Sequence, residues 1–218
     1  MTTYTPQTPP DPSADRCNAI SPFLVWLGVL AVALLILFVL DYLLGLVIWL
    51  PLYCGLFGFL VAGLIAGGTA FRLARKLRPV SRGRIWATGI LLTLFNAPTA
   101  LYFEYRHVAS GVGELAGFSK LRVRAAKEGS PRADVVERIE LVFRDKLTSD
   151  FPPGGFLGYA RWCIRTGEMP LQVDDASDTV SVSHRGWRWA IRSVIALVLT
   201  FVGLCFSFDG LRSAVPVR

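Results

Sequence analysis

Reactive side chains are scarce in this sequence. In 218 residues there are two histidines, His107 and His184, and four cysteines, Cys17, Cys54, Cys163 and Cys205. The cysteines stand singly, without a C-x-x-C pair or ligand-like spacing, which argues against a zinc site or a disulfide framework. Cys54 and Cys205 lie in apolar runs, where a free thiol behaves as a small hydrophobe. The phosphate loop G-x-x-x-x-G-K-[ST], the dinucleotide fingerprint G-x-G-x-x-G and the zinc motif H-E-x-x-H are all missing. So is the nucleophile elbow G-x-S-x-G. The glycine-rich Pro152-Pro153-Gly154-Gly155 contains no lysine and does not open a strand–helix phosphate loop. No cofactor is implied.

Charge is missing in a patterned way. Long stretches carry almost none, which a soluble domain of this length rarely shows, and 53% of the chain is hydrophobic. An apolar run crosses a bilayer when it reaches roughly 20 residues at 1.5 Å each. Residues 22–71, interrupted by Asp41, would reach ~75 Å as one helix, more than twice a hydrocarbon core. Two spans are expected there, at about 23–40 and 51–71, with Asp41-Tyr42 at the interface and residues 43–50 as a short hydrophobic turn carrying Trp49 at headgroup level. Pro51 suits a first helical turn. A third span is expected at about 85–103 and a fourth at about 190–208, with Trp187, Arg188 and Trp189 as an interfacial belt and Arg192 snorkelling to the headgroups. The fold class is therefore all-α: an integral membrane protein with four transmembrane helices and a small, mostly helical extramembrane domain between the third and fourth.

Four segments follow. Residues 1–21, rich in proline among Thr, Asp and Ser, read as a disordered tail that cannot bury enough apolar surface to fold. The tail lacks a basic n-region, and the run after it is too long for a signal-peptide h-region, so the first span is expected to be retained. Residues 22–108 form a three-helix membrane region, 109–187 the polar domain, and 188–218 the last span with a short tail.

The second span and the loop after it form the anchor of the topology. Gly58, Ala62, Ala66 and Ala70 recur every four residues, and Gly63 and Gly67 make a G-x-x-x-G beside them. Small residues at this spacing give a flat helix face that another backbone can approach closely. The loop 72–84 holds Arg72, Arg75, Lys76, Arg78, Arg82 and Arg84 and no acid. A net charge of +7 invites a nucleic-acid partner, but a basic cluster between two apolar runs is better explained by orientation and anionic lipid headgroups. The expected location is a cell or inner membrane, with the 72–84 loop and both termini cytoplasmic and the 109–187 domain opposite. The domain's Arg106, Lys120, Arg185 and Arg188 compete with that orientation, but charge counts weigh less in loops longer than ~60 residues. A re-entrant third segment turning at Asn96-Ala97-Pro98 would invert the domain's side. Asn96 itself is expected either to satisfy the carbonyl that Pro98 frees or to hydrogen-bond a neighbouring helix.

In the polar domain, Ser130-Pro131 reads as an N-cap and first-turn proline. Val135, Val136, Ile139, Val142, Phe143 and Leu147 then fall on one face of a helix ending near Thr148. A second helix is expected at 156–166, stopped by Gly167, an acidic loop at 172–178, a lone short strand at 179–183, and a weaker helix at 115–126 lying along the membrane surface.

One constellation carries candidate chemistry. Glu104 and His107, three apart, share a helix face, as ligands do in carboxylate di-iron bundles. His184 leaves the membrane on the same side, so Glu104, His107 and His184 are candidate ligands for one zinc or iron. Such bundles need further carboxylates in the spans, and none is there. The leading expectation is a non-enzymatic protein that packs with or scaffolds other membrane proteins, or copies of itself, through the small-residue face of the second span, with the polar domain as a docking surface. The alternative is a small membrane-embedded metal-binding protein or enzyme using Glu104, His107 and His184.

Overall fold

The computed structural model describes residues 22–46, 52–75, 80–129 and 131–209. The expected tails at 1–21 and 210–218, the turn around Trp49, Pro51, the loop residues Lys76 and Arg78, and Ser130 lie outside the described residues. The chain is mostly helical. Its long helices are α1 (Pro22–Leu46), α2 (Leu52–Ala74), α3 (Arg82–Val112) and α7 (Trp187–Asp209). Between α3 and α7 come a 3-10 turn (Ala116–Phe118), α4 (Ser119–Lys127), α5 (Arg132–Asp150), α6 (Gly155–Arg165) and the strands β1 (Glu168–Val173) and β2 (Ala176–Ser181).

The four long helices are long and apolar enough to cross a membrane. Their outward faces carry Leu35, Phe38, Phe57, Ile65, Leu94, Phe95, Val194 and Phe206, all exposed. An apolar surface of that extent is stable against lipid tails and unstable against water. Inside the bundle, Val29, Ala33 and Leu37 of α1 meet Ala66, Ala70 and Ala74 of α2, Ile85 and Leu92 of α3, and Leu204 and Phe208 of α7. Ala33, Ala66, Ala70 and Ala74 supply small side chains to this core, which lets helix backbones approach closely.

Two span boundaries move. α1 continues through Asp41 to Leu46, so the acid that reads as interfacial sits within the helix. α3 begins at Arg82, so Arg82 and Arg84 form its first turn rather than the end of a loop, and Ser81 caps it by accepting from the Arg84 N–H at 3.4 Å. α3 then runs unbroken for 31 residues through Pro98, so it does not turn back at Asn96-Ala97-Pro98. Asn96 hydrogen-bonds α1, the second of its two expected roles.

The segment between α3 and α7 folds as a cap with its own core. Phe118, Ile139, Phe143, Leu147, Tyr159 and Trp162 are fully buried together, and the far end of α3 contributes Tyr105, Ala109 and Val112 to the same cluster. The helical period of α5 places Ile139, Phe143 and Leu147 inward at four-residue spacing. Pro131 occupies the cap position of α5, which starts at Arg132. α4 is seated on this core by buried Phe118 and Leu121, and its Arg122 donates to the Gly113 and Leu115 carbonyls at 2.6 and 3.0 Å, satisfying acceptors that the end of α3 leaves open. The lone strand has a partner after all. β1 and β2 pair antiparallel from Glu168↔Ser181 to Val173↔Ala176, and the expected acidic loop is divided between the strands and their Asp174-Asp175 turn. Met169, Leu171 and Val173 of β1 point into the core while the alternate residues face out. Gly117 N–H donates to Asp178 Oδ2 at 2.7 Å and fastens the hairpin to the 3-10 turn; a Cβ on Gly117 would lie 2.6 Å from the Ser177 carbonyl.

Candidate functional site

Three side chains from two elements converge on Glu104, in the third quarter of α3. Tyr159 projects from α6, and Trp189 and Arg192 from the first two turns of α7. One carboxylate oxygen, Oε1, accepts from Trp189 Nε1 at 2.8 Å, from Tyr159 OH at 3.1 Å and from Arg192 Nη2 at 2.5 Å. The Glu104 and Arg192 side chains are 13% and 18% exposed, so the pair is largely withdrawn from solvent. Tyr159 is packed between Trp162, tilted at 5.7 Å between ring centroids, and Trp189, edge to face at 6.4 Å, and Tyr105 lies 5.9 Å off. Gly186 N–H donates to the Cys163 carbonyl at 2.7 Å, which sets the start of α7 against the end of α6.

The electrostatics favour permanence over reactivity. Burial pushes the Tyr159 phenol well above its ordinary range, and the Glu104 charge adds to the shift. Burial likewise raises the Cys163 thiol, which is hydrogen-bonded to Tyr159. A phenol and a thiol held protonated are poor nucleophiles, since the thiolate is the reactive form of cysteine. The Glu104 oxygen is saturated by three donors, two of them buried aromatics and one a cation. Charge-assisted hydrogen bonds of this kind are the strong ones, and their geometry fixes α3, α6 and α7 relative to each other. The arrangement is a clamp.

The spacing of Glu104 and His107 suggests a metal centre, but the fold pairs Glu104 with other groups. No group of three or more His, Cys, Asp or Glu side chains able to hold a metal occurs among the described residues, so Glu104, His107 and His184 are not brought together as ligands. Glu104 turns to the donors of α6 and α7. His107 and His184 are both only partly buried, the latter on the loop after β2.

The small-residue positions of α2 divide between two neighbours. A Cβ on Gly63 would stand 2.4 Å from the Thr200 carbonyl oxygen, and one on Gly67 would stand 2.6 Å from Ser207 Cβ. Gly203 answers from α7, where a Cβ would meet the Leu60 carbonyl at 2.6 Å and the Leu64 nitrogen at 2.9 Å. Ser207 Oγ donates to the Leu64 carbonyl at 3.1 Å across the same contact. Ala66 and Ala70 are fully buried in the cluster that includes α1, Ala62 is 3% exposed and Gly58 is half-buried. This face is filled within the chain. Among the basic residues, Arg72 lies in the last turn of α2, and Arg75 directly follows that helix.

Compared with known proteins, the chain matches no family model, no curated protein and no solved structure. Sequence reasoning singled out Glu104 but missed its partners, Tyr159, Trp189 and Arg192. It also missed Gly203, which had the same signal as Gly63: a glycine inside an apolar span, where it costs helix stability unless something approaches closely.

Proposed function

We propose that this protein is a non-enzymatic integral membrane protein that displays a rigidly mounted polar cap as a docking surface for other membrane proteins. The observation that carries this reading is the continuity of α3, which passes without a break from the apolar bundle into the cap's core and is locked there by Glu104. A cap tethered by flexible linkers transmits little to the helices. One built on the end of a span and tied to a second span moves with them. The α2 glycine face is occupied by α7, which leaves the cap's exposed residues, such as Glu137 and Leu141 on α5, as the surface for a partner.

The bundle would lie in a cell or inner membrane, with Arg72, Arg75, Arg82 and Arg84 at the cytoplasmic, anionic-lipid side and the cap opposite. Labelling of Glu137→Cys in sealed cells by a membrane-impermeant maleimide tests that orientation; protection there with labelling only after permeabilisation would reverse it. Cys163 is unsuited to the purpose, being fully buried with its thiol raised. For docking, the full chain is purified in mild detergent from its native membrane, beside a variant combining Glu137→Arg with Leu141→Glu. A membrane protein that co-purifies with the native chain and is lost from the variant supports the reading. Co-purification of nothing, or of the same protein with both, overturns it.

A further inference from the structure

The bundle contains a second polar contact that the clamp does not use. α1 has one charged residue, Asp41, and the fold leaves it 3% exposed. Its Oδ1 accepts from Asn96 Nδ2 across the α1–α3 contact at 3.4 Å. Its Oδ2 is enclosed and has no hydrogen-bond partner. Asn96 is itself 3% exposed and lies near the midpoint of the 31-residue α3, far from either end. Asp41 is thus enclosed at the contact between α1 and α3, two residues before the end of the apolar stretch Phe23–Leu43.

Among the described residues, the charged groups of the helices packed against Asp41 lie away from it. α1 packs against α2 and α3. On α2 the charged residue is Arg72, in the last turn, ~30 Å along the helix from the end that adjoins Asp41; the side chain of Tyr53 lies outside the described residues. On α3, Arg82 and Arg84 occupy the first turn, roughly 20 Å from Asn96. Past Asn96, Tyr102 is exposed and bonded to Arg106, Glu104 is held by Arg192, Tyr105 is buried in the cap core, and His107 lies beyond them. On α1, Tyr42 is exposed with its ring against Phe103. An isolated ionised carboxylate in such surroundings is strongly disfavoured, and the group neutralises instead. Asn96 suits both states, because its amide carries a donor for a carboxylate and an acceptor for a carboxylic acid. An ionisable residue inside a membrane span marks a functional position by default.

We infer that Asp41 and Asn96 form a proton-binding site inside the helical bundle, in which the carboxyl is kept as the neutral acid and loss of its proton loosens α1 from α3. This goes beyond the docking reading and needs no partner. The test uses the full chain in lipid nanodiscs, with the aspartate carboxyls carrying carbon-13, and infrared spectra recorded at neutral pH. The expected result is a carbonyl band from a protonated carboxyl that shifts with the aspartate label and is lost in Asp41→Asn. In Asp41→Glu the band persists but no longer responds to the label. The melting temperature of the native chain should fall as the pH rises above the unfolded aspartate value of about 4, with a flatter profile for Asp41→Asn over the same range. Absence of a label-sensitive protonated band in the native chain, or its survival in Asp41→Asn, overturns the site. Asp41 is the one buried aspartate among the described residues, so the native spectrum decides the matter even if a variant does not fold.

Discussion

The two ends of α7 are held by opposite physics. From Thr200 to Ser207 the helix lies against α2 through glycines on both sides, so close that a single methyl on Gly63 or Gly203 would collide with a backbone oxygen. At Trp189 and Arg192, two turns earlier, the same helix is held by hydrogen bonds to one carboxylate. The first contact is mainly van der Waals approach, with the hydrogen bond from Ser207 Oγ to the Leu64 carbonyl as a directional addition. The second is built of groups that are costly to bury and are safe only while all are paired. The glycine seam therefore tolerates no added volume, and the clamp tolerates no removed partner.

Removing Glu104 is expected to have the largest effect. Glu104→Ala strands Arg192, Trp189 and Tyr159 together, and breaking a buried ion pair from one side costs about 3–5 kcal/mol. The lower end applies because the two side chains keep 13% and 18% exposure. Thermal melting in detergent, followed by tryptophan fluorescence, measures it. A loss under about 1 kcal/mol would place Glu104 among surface pairs. Gly203→Ala comes next, at about 1–3 kcal/mol, as overpacking of a site whose neighbours are backbone atoms. Stability unchanged by that methyl would mean the helices are further apart than the structure places them. Tyr159→Phe follows, at about 1 kcal/mol for one hydrogen bond. It carries a pH signature. The folded state raises the Tyr159 phenol, so its contribution is complete below the unfolded value of about 10 and is lost as the pH climbs above that. Tyr159→Phe should lose stability at neutral pH and show a shallower decline in alkali than the native chain. Equal alkaline slopes would remove Tyr159 from the clamp.

The seam was visible before the structure, and the clamp was not, for the same physical reason. Gly63 and Gly67 lie four apart on one helix, and local spacing reveals a flat face. Glu104 meets Tyr159, Trp189 and Arg192 across sequence separations of 55, 85 and 88 residues, which no local period reports. One clue was present: Arg192, just inside the start of the fourth apolar run, and Glu104, just past the end of the third, are opposite charges at matching ends of two spans. Read separately, one was a snorkelling side chain and the other a metal ligand. The four long helices were legible because uncharged length alone defines them, although α1 and α3 outrun their apolar limits. α5 was legible from its period. β1 was not, because Pro170 interrupts it, even though Met169, Leu171 and Val173 alternate toward the core; a proline is tolerated here in a two-stranded ribbon, where each strand has a free edge.

The finest test of the seam uses two adjacent glycines. Gly67 and Gly68 share the same helix and the same apolar span. A Cβ on Gly67 would press on Ser207 Cβ at 2.6 Å, whereas one on Gly68 meets nothing within 4 Å. Glycine in a helix interior is less favourable than alanine by up to about 1 kcal/mol, through backbone entropy in the unfolded chain. Gly68→Ala should therefore leave stability unchanged or raise it by less than about 1 kcal/mol, while Gly67→Ala lowers it. The pair has one chemistry and two opposite signs, so propensity cannot produce both. If both substitutions shift the melting temperature in the same direction, α2 does not present the Gly67 side to α7, and the glycines reflect only their frequency in membrane helices.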